Sequence, residues 1–348
     1  MANDDLYHTM RAMPKIELHR HLEGAVRLST LVDVAREFGI EMPEYEAETL
    51  RPFVQMMPDE PRTWQNFLGK FRTLRQFYLT PAVIRRIVAE AVIDAALDNI
   101  KYMELRFTPK ALCNITRSSF GDMVRWVCEA GTAAARDHDI DVRFIISMNR
   151  HEEVEIGQQV TQAAIDNMGV GVVGLDLAGV EAGNPAAPFA RILQYGRSAG
   201  LRVTLHAGEW DGAHSVWEAV SFVGTDRIGH GIRAIEDAGV VEVLRTRQIP
   251  LEVCPSSNVD SGVVPDFASH QLPLLWDAGV KITLNTDDPL VSGITLTDEL
   301  VRVVENLPFT VDDVKRMMLN SAESAFLPDV ERRVLVRRFQ GALFPLGA

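Results

Sequence analysis

Four short segments of this chain set histidines or carboxylates among apolar neighbours. In Glu17-Leu18-His19-Arg20-His21 two imidazoles stand at i and i+2, a spacing that puts both on one face of an extended strand. Thr204-Leu205-His206-Ala207-Gly208-Glu209 adds a third imidazole, and Gly208 lets the backbone bend so that Glu209 can reach the same place. Ile228-Gly229-His230-Gly231 adds a fourth. Leu284-Asn285-Thr286-Asp287-Asp288-Pro289 ends in adjacent carboxylates, which cost free energy on an apolar strand unless a cation is near or one is protonated. Singly, each segment has an ordinary explanation: hydrogen-bonded histidines, a helix-starting glutamate, an aspartate capping the helix before Pro289. Together they read as neutral nitrogen and carboxylate ligands of a divalent metal, Zn²⁺ first, with Fe²⁺, Co²⁺ and Mn²⁺ left open. Such an ion lowers the pKa of bound water and supplies hydroxide near neutral pH, so the chemistry is hydrolytic.

These segments need strands to carry them. Runs that are apolar or rich in β-branched residues recur at 15–21, 101–107, 141–148, 172–179, 202–208, 227–231, 250–255 and 281–287. Between them lie helical patterns, among them 81–99, 120–138, 187–199 and 216–223. Eight strand–helix units predict an α/β chain folded as a (β/α)₈ TIM barrel, whose C-terminal strand ends face the active site; a doubly wound sheet is the alternative. One domain over 1–348 is expected, with a helical insertion at about 28–80 whose extra helices cover the barrel mouth. Within it, 40–61 reads as a loop and 63–77 as an aromatic helix. The tail after Leu307 reads as closing helices.

Among the 348 residues, 35 are basic and 48 acidic, for a formal net charge of −13. That charge repels phosphate backbones and anionic membrane surfaces, so neither nucleic acid nor membrane is expected as a partner. Three cysteines, Cys113, Cys128 and Cys254, form no CxxC pair, which argues against a disulfide framework or thiolate zinc site and points to a reducing cytoplasm. The first fifteen residues lack the apolar core of a secretory signal. Gly169 to Gly174 matches GxGxxG but leads into a strand instead of following one, against a dinucleotide site. His21-Leu22-Glu23 matches half of the polynucleotide deaminase signature, yet no PCxxC follows. His8, His138, His151, His214 and His270 read as surface or structural, with His151 the one to examine for substrate contact. Nothing in the sequence fixes an oligomeric state.

The motifs HxHLEG, DLAG (176–179), HAGE, GHG and NTDDP, in this order, resemble the adenosine deaminase family of metal-dependent hydrolases over nearly the whole chain. The resemblance implies the barrel, one zinc per chain held by His19, His21, His206 and Asp287, and hydrolysis of adenosine or deoxyadenosine to inosine or deoxyinosine and ammonia. It further implies that Glu209 and His230 act on the reaction, that the Gly179 amide meets purine N3 and Asp288 meets N7, and that Phe67, Leu68 and Phe71 form a gate over a small-molecule purine nucleoside. Attack at C6 breaks aromaticity, so a protonated Glu209 is the suitable donor to N1. N7 only accepts, so Asp288 must be protonated to bond to it. One position departs from the family: many members carry aspartate where this chain has Glu23, and glutamate also occurs in relatives acting on adenine or aminodeoxyfutalosine. Two further readings compete. One is a barrel hydrolase acting on an ester, amide or different ring; the other is a barrel that binds without catalysis, against which the intact Glu209, His230 and metal set argue.

Overall fold

The computed structural model describes residues 2–345, so the outermost residues of the expected 1–348 domain lie outside it. Eight strands form one parallel sheet in chain order: β1 Lys15–His21, β2 Ile100–Phe107, β3 Asp141–Asn149, β4 Val172–Ala178, β5 Arg202–Ala207, β6 Arg227–His230, β7 Leu251–Val253 and β8 Ile282–Leu284. Beyond β8 the chain turns back onto β1. Asp287 N–H donates to the His19 carbonyl at 2.9 Å and His21 N–H to the Asp287 carbonyl at 2.8 Å, which brings the sheet to a near-closed TIM barrel. The doubly wound alternative is thereby excluded.

β7 and β8 are three residues each, shorter than the runs from which they were expected. At β7, Pro255 has no N–H to give a ladder and opens the helix Pro255–Asp260 instead. At β8, the Asn285 side chain does the work of backbone, its Oδ1 accepting Leu18 N–H at 2.9 Å.

The barrel interior is unusually polar for a buried region. Arg227 donates from Nε to Glu252 and from Nη2 to Glu104, both at 2.5 Å, and lies 3.5 Å from the centre of the Phe326 ring. Arg106 donates to the other oxygen of Glu252 at 2.7 Å and reaches Asp176 at 3.4 Å, while Thr204 and Ser147 hydroxyls donate to Glu252 and Asp176. All these groups are buried. Each charge is tolerated because an opposite charge lies within hydrogen-bonding distance.

Between β1 and β2 the chain forms helices at Leu28–Phe38, Ala47–Val54, Trp64–Leu74 and Pro81–Leu97. The second corrects the reading of 40–61 as loop: Leu50 and Val54 are buried against the core, and that burial outweighs the Pro52 inside the helix. Helices at Ala2–Ala12 and Pro109–Thr116 add to the strand–helix rhythm, Val154–Asp166 and Ala238–Arg247 fill two of its crossovers, and the expected helix over 216–223 is a short α-helix, Ala213–Glu218, continued by π-helical Ala219–Val223. Lys15 is buried beneath the first of these, its ammonium donating to the carbonyls of Met10, Arg11 and Met13 at the helix end. Val311–Ser324 and Asp329–Leu343 close the chain. No helix among the described residues is long and apolar enough to cross a membrane.

Removing Arg227 leaves Glu104 and Glu252 buried without their shared cation. Arg227→Leu is expected to lower unfolding free energy by about 3–5 kcal/mol, read as a fall in the urea midpoint; an unchanged midpoint would show that the interior charges do not depend on one another.

Candidate active site

His19 and His21 project from the same face at the end of β1, His206 from the end of β5, and Asp287 from the turn after β8. Their donor atoms converge. His19 Nε2 lies 3.2 Å and His21 Nε2 3.3 Å from Asp287 Oδ1, and His21 Nε2 lies 3.2 Å from His206 Nε2. The other ring nitrogens are spoken for by groups that only accept: His19 Nδ1 donates to Glu252 at 2.8 Å and His206 Nδ1 to Asp176 at 3.0 Å. Both rings therefore turn an Nε2 lone pair inward. Ser257 Oγ donates to Asp287 Oδ2 at 2.7 Å, leaving Oδ1 for the centre. Buried lone pairs that face one another, with His19 Nε2 lacking any hydrogen-bond partner, are what a divalent cation resolves, and the nitrogen and oxygen set suits zinc.

His230 complicates the choice of ligands. Its donor atom falls with those of His19, His206 and Asp287 inside a mutual 4.8 Å, while His21, His206 and Asp176 form a second such group. Asp176 is already bonded to His206 Nδ1 and paired with Arg106, so that second group is the outer support of one centre rather than another centre. His230 Nε2 lies 3.9 Å from the Asp287 oxygen that Ser257 already holds, and 3.6 Å from Glu209. It stands beside the centre and faces Glu209. Both His230 and Asp287 have left-handed backbones, φ 58° and 65°, a conformation that costs a non-glycine residue about 1–3 kcal/mol.

Glu209 sits on a loop that Glu181 organises. The Glu181 carboxylate accepts the backbone N–H groups of Gly208, Glu209, Trp210 and Asp211 at 2.6–3.0 Å. Arg150 donates to the His206 carbonyl just before this loop. Burial, with the charges of Asp287 and Glu181, pushes the Glu209 carboxyl well above the usual carboxylate range. The two aspartates part company. Burial tends to raise Asp287, but the imidazoles of His19, His230 and His21 around it hold it well below the ordinary value. Asp288 is pushed well up by burial and then by Asp287, Glu23 and Glu209, and its Oδ1 is buried without a partner. A Cβ on Gly24 would run into that carboxyl, which explains the glycine of HxHLEG.

One cavity collects the rest. His21, Glu23, Phe67, Leu68, Phe71, Gly179, His206, Glu209, His230, Asp287 and Asp288 all line it, together with Arg75 and Trp210, and His19 lies buried beneath. Phe67, Leu68 and Phe71 come from the helix Trp64–Leu74, started by Thr63, whose hydroxyl accepts Asn66 N–H. Glu23 Oε1 accepts Thr108 N–H at 2.8 Å, and Oε2 has no partner. Gly179 has φ 85° and packs against His151, whose Nδ1 accepts Val180 N–H at 3.3 Å; His151 supports that turn and does not line the cavity.

Sequence reasoning passed over the carboxylates that hold the ligands. Asp176 figures there as the charge dividing the apolar run 169–180 and as part of DLAG, and Glu252, Glu181 and Ser257 have no role. A signal existed: Glu252 in Leu251-Glu252-Val253 and Asp176 in Leu175-Asp176-Leu177 are lone charges inside apolar strands, tolerable only if paired.

The chain is similar to known adenosine and adenine deaminases. A family model described as adenosine deaminase matches residues 14–341. The adenosine deaminase of Aliivibrio fischeri strain ES114 is 36% identical over 329 residues, covering 94% of this chain and 97% of that protein. That of Klebsiella pneumoniae strain 342 is 34% identical, covering 94% and 98%. Among solved structures, an adenine deaminase from Arthrobacter aurescens superposes with a TM-score of 0.87 at 29% identity, covering 94% and 98%. An N6-methyl-AMP deaminase from Arabidopsis thaliana does so with 0.84 at 27%, covering 97% and 98%.

Asp176→Asn and Glu252→Gln each disturb the partner that sets a histidine's proton. Either is expected to weaken zinc binding about 10–100-fold, measured by competition with a chromogenic chelator; unchanged affinity would separate these carboxylates from the centre.

Proposed function

The chain belongs to the adenosine deaminase family, and from that we propose that it hydrolyses the 6-amino group of adenosine or deoxyadenosine, giving inosine or deoxyinosine and ammonia. The observation that carries this reading is Glu209, a buried carboxyl raised above the carboxylate range and set 3.6 Å from His230 beside the imidazole–aspartate cluster. A metal-dependent amide or ester hydrolase uses such a carboxylate first as a base toward the attacking water, whereas a purine ring must gain a proton at N1 as C6 is attacked, which a carboxyl already protonated before attack supplies.

The ligands in this reading are His19, His21, His206 and Asp287. They would hold one divalent zinc ion per chain, which when bound would supply a water molecule acidified into the neutral range. The chain's own groups do the remaining work. Protonated Glu209 donates to N1 as the oxygen reaches C6. Asp288, kept neutral by burial and by Asp287, donates to N7, and the Gly179 N–H donates to N3. His230 holds the attacking oxygen. Phe67, Leu68 and Phe71 cover the apolar face of the base and exclude bulk water. Glu23, with one oxygen engaged by Thr108 and the other without a partner, offers an acceptor to the donor at N9, whether a sugar hydroxyl or the ring N–H itself. Cys113, Cys128 and Cys254 are all free and buried, in keeping with a cytoplasmic enzyme.

Zinc-loaded protein is expected to lower the ultraviolet absorbance of adenosine as inosine forms, and a kcat/KM panel over adenosine, deoxyadenosine, adenine and aminodeoxyfutalosine should rank the nucleosides first. A flat trace with every adenine nucleoside would refute the reading. Glu209→Gln should keep its zinc and lose at least about 10²-fold in kcat; wild-type turnover in that variant would remove Glu209 from the chemistry.

A further inference from the structure

His230 has two ring nitrogens, and the one that carries the proton decides whether the ring can take a proton from an attacking oxygen or only donate to it. Its Nδ1 lies 3.1 Å from Nδ2 of Asn258, and the other end of that amide, Oδ1, lies 3.3 Å from Nε2 of His270. His270 is anchored beyond, where Leu272 N–H meets its Nδ1 at 2.9 Å. All three side chains are buried, so bulk water does not compete for these bonds.

The directions follow from the last link. A backbone amide only donates, so Nδ1 of His270 is the lone-pair nitrogen. Burial keeps that ring neutral, its pKa pushed down to about 4, and its single proton is on Nε2. This N–H donates to Asn258, which makes the facing atom the amide oxygen and turns the amide N–H toward His230. His230 Nδ1 must accept. We propose that Leu272 N–H, His270 and Asn258 form a relay of positioning groups that sets neutral His230 with its proton on Nε2, so that His230 meets the attacking oxygen as a hydrogen-bond donor and not as its base.

The surroundings of Nε2 agree. It has no hydrogen-bond partner of its own and lies between Glu209 Oε2 at 3.6 Å and Asp287 Oδ2 at 3.9 Å. An N–H in that place is attracted by the Asp287 carboxylate, whereas a lone pair is repelled. Asn258 and His270 touch no reacting atom and act only through the ring they orient. The chemical meaning of the relay rests on the deaminase reading, while its geometry does not.

The tautomer can be read directly. In protein carrying isotope-labelled histidine, zinc-loaded, a long-range proton–nitrogen correlation spectrum should show His230 with a protonated Nε2 and a bare Nδ1. Asn258→Asp keeps the shape but presents acceptors at both ends, so it should draw the proton to Nδ1 and lower kcat on the order of 10²-fold with KM little changed. His270→Gln, which keeps an N–H for Asn258, should retain several-fold more kcat than His270→Leu. A proton on Nδ1 of His230 in the unaltered protein overturns the relay, and so does a folded, zinc-loaded Asn258→Asp protein with unchanged kcat. If that variant does not fold, the spectrum of the unaltered protein decides. Adenosine turnover by the unaltered protein is recorded alongside: its absence counts against the deaminase reading, and the tautomer is judged on the spectrum alone.

Discussion

Glu252 is a carboxylate with no access to water, and the arrangement at the barrel mouth hangs on how its charge is satisfied. Burial works against its ionisation, yet Arg106 and Arg227 together with the His19 hydrogen bond hold it well below the usual carboxylate range. Once ionised it can only accept, so His19 must keep a proton on Nδ1 and face the centre with Nε2. Asp176, held well down by His206 and Arg106 against its own burial, imposes the same order on His206. A row of charges crossing the barrel from Arg227 to the histidines thus converts a problem of desolvation into a choice of tautomer.

The adjacent aspartates show how one turn can yield two opposite groups. The left-handed backbone at Asp287 sends successive carboxyls in different directions, one onto the imidazoles and the other into the cavity beside Gly24. The imidazoles around it and the Ser257 hydroxyl keep the first ionised. Burial and the charge next door push the carboxyl of the second well up, favouring its protonated form. On the other side of the cavity Glu181 does for the Glu209 loop what no side chain within that loop can do, gathering four amides on one carboxylate.

Much of this was legible in the residues. Eight extended runs separated by helical patterns located every strand, and the residues carrying imidazoles or paired carboxylates were found at the strand ends where they meet. Boundaries were harder, because β7 and β8 end where a proline and an asparagine side chain take over from the ladder, and neither event alters the hydrophobic pattern. The helix at Ala47–Val54 was hidden by prolines, since its two buried residues matter only once the core they meet exists. Glu252 is hidden by the opposite habit, an apolar run being read for its apolar residues, and Asp176, a visible break in such a run, gives no local sign of the ring it holds. Their partners Arg106, Arg227, His19 and His206 stand up to 233 positions away, and no local pattern joins them.

The seam between β8 and β1 joins Leu18 to Asn285 across 267 positions of chain. A ribosome delivers residues in order, so His19 and His21 leave the exit tunnel long before Asp287 exists. During most of synthesis the early strand has one open edge, and its imidazoles lack the carboxylate they meet in the finished fold. The cluster of His19, His206 and Asp287 therefore comes together only when the last strand arrives and the ring closes.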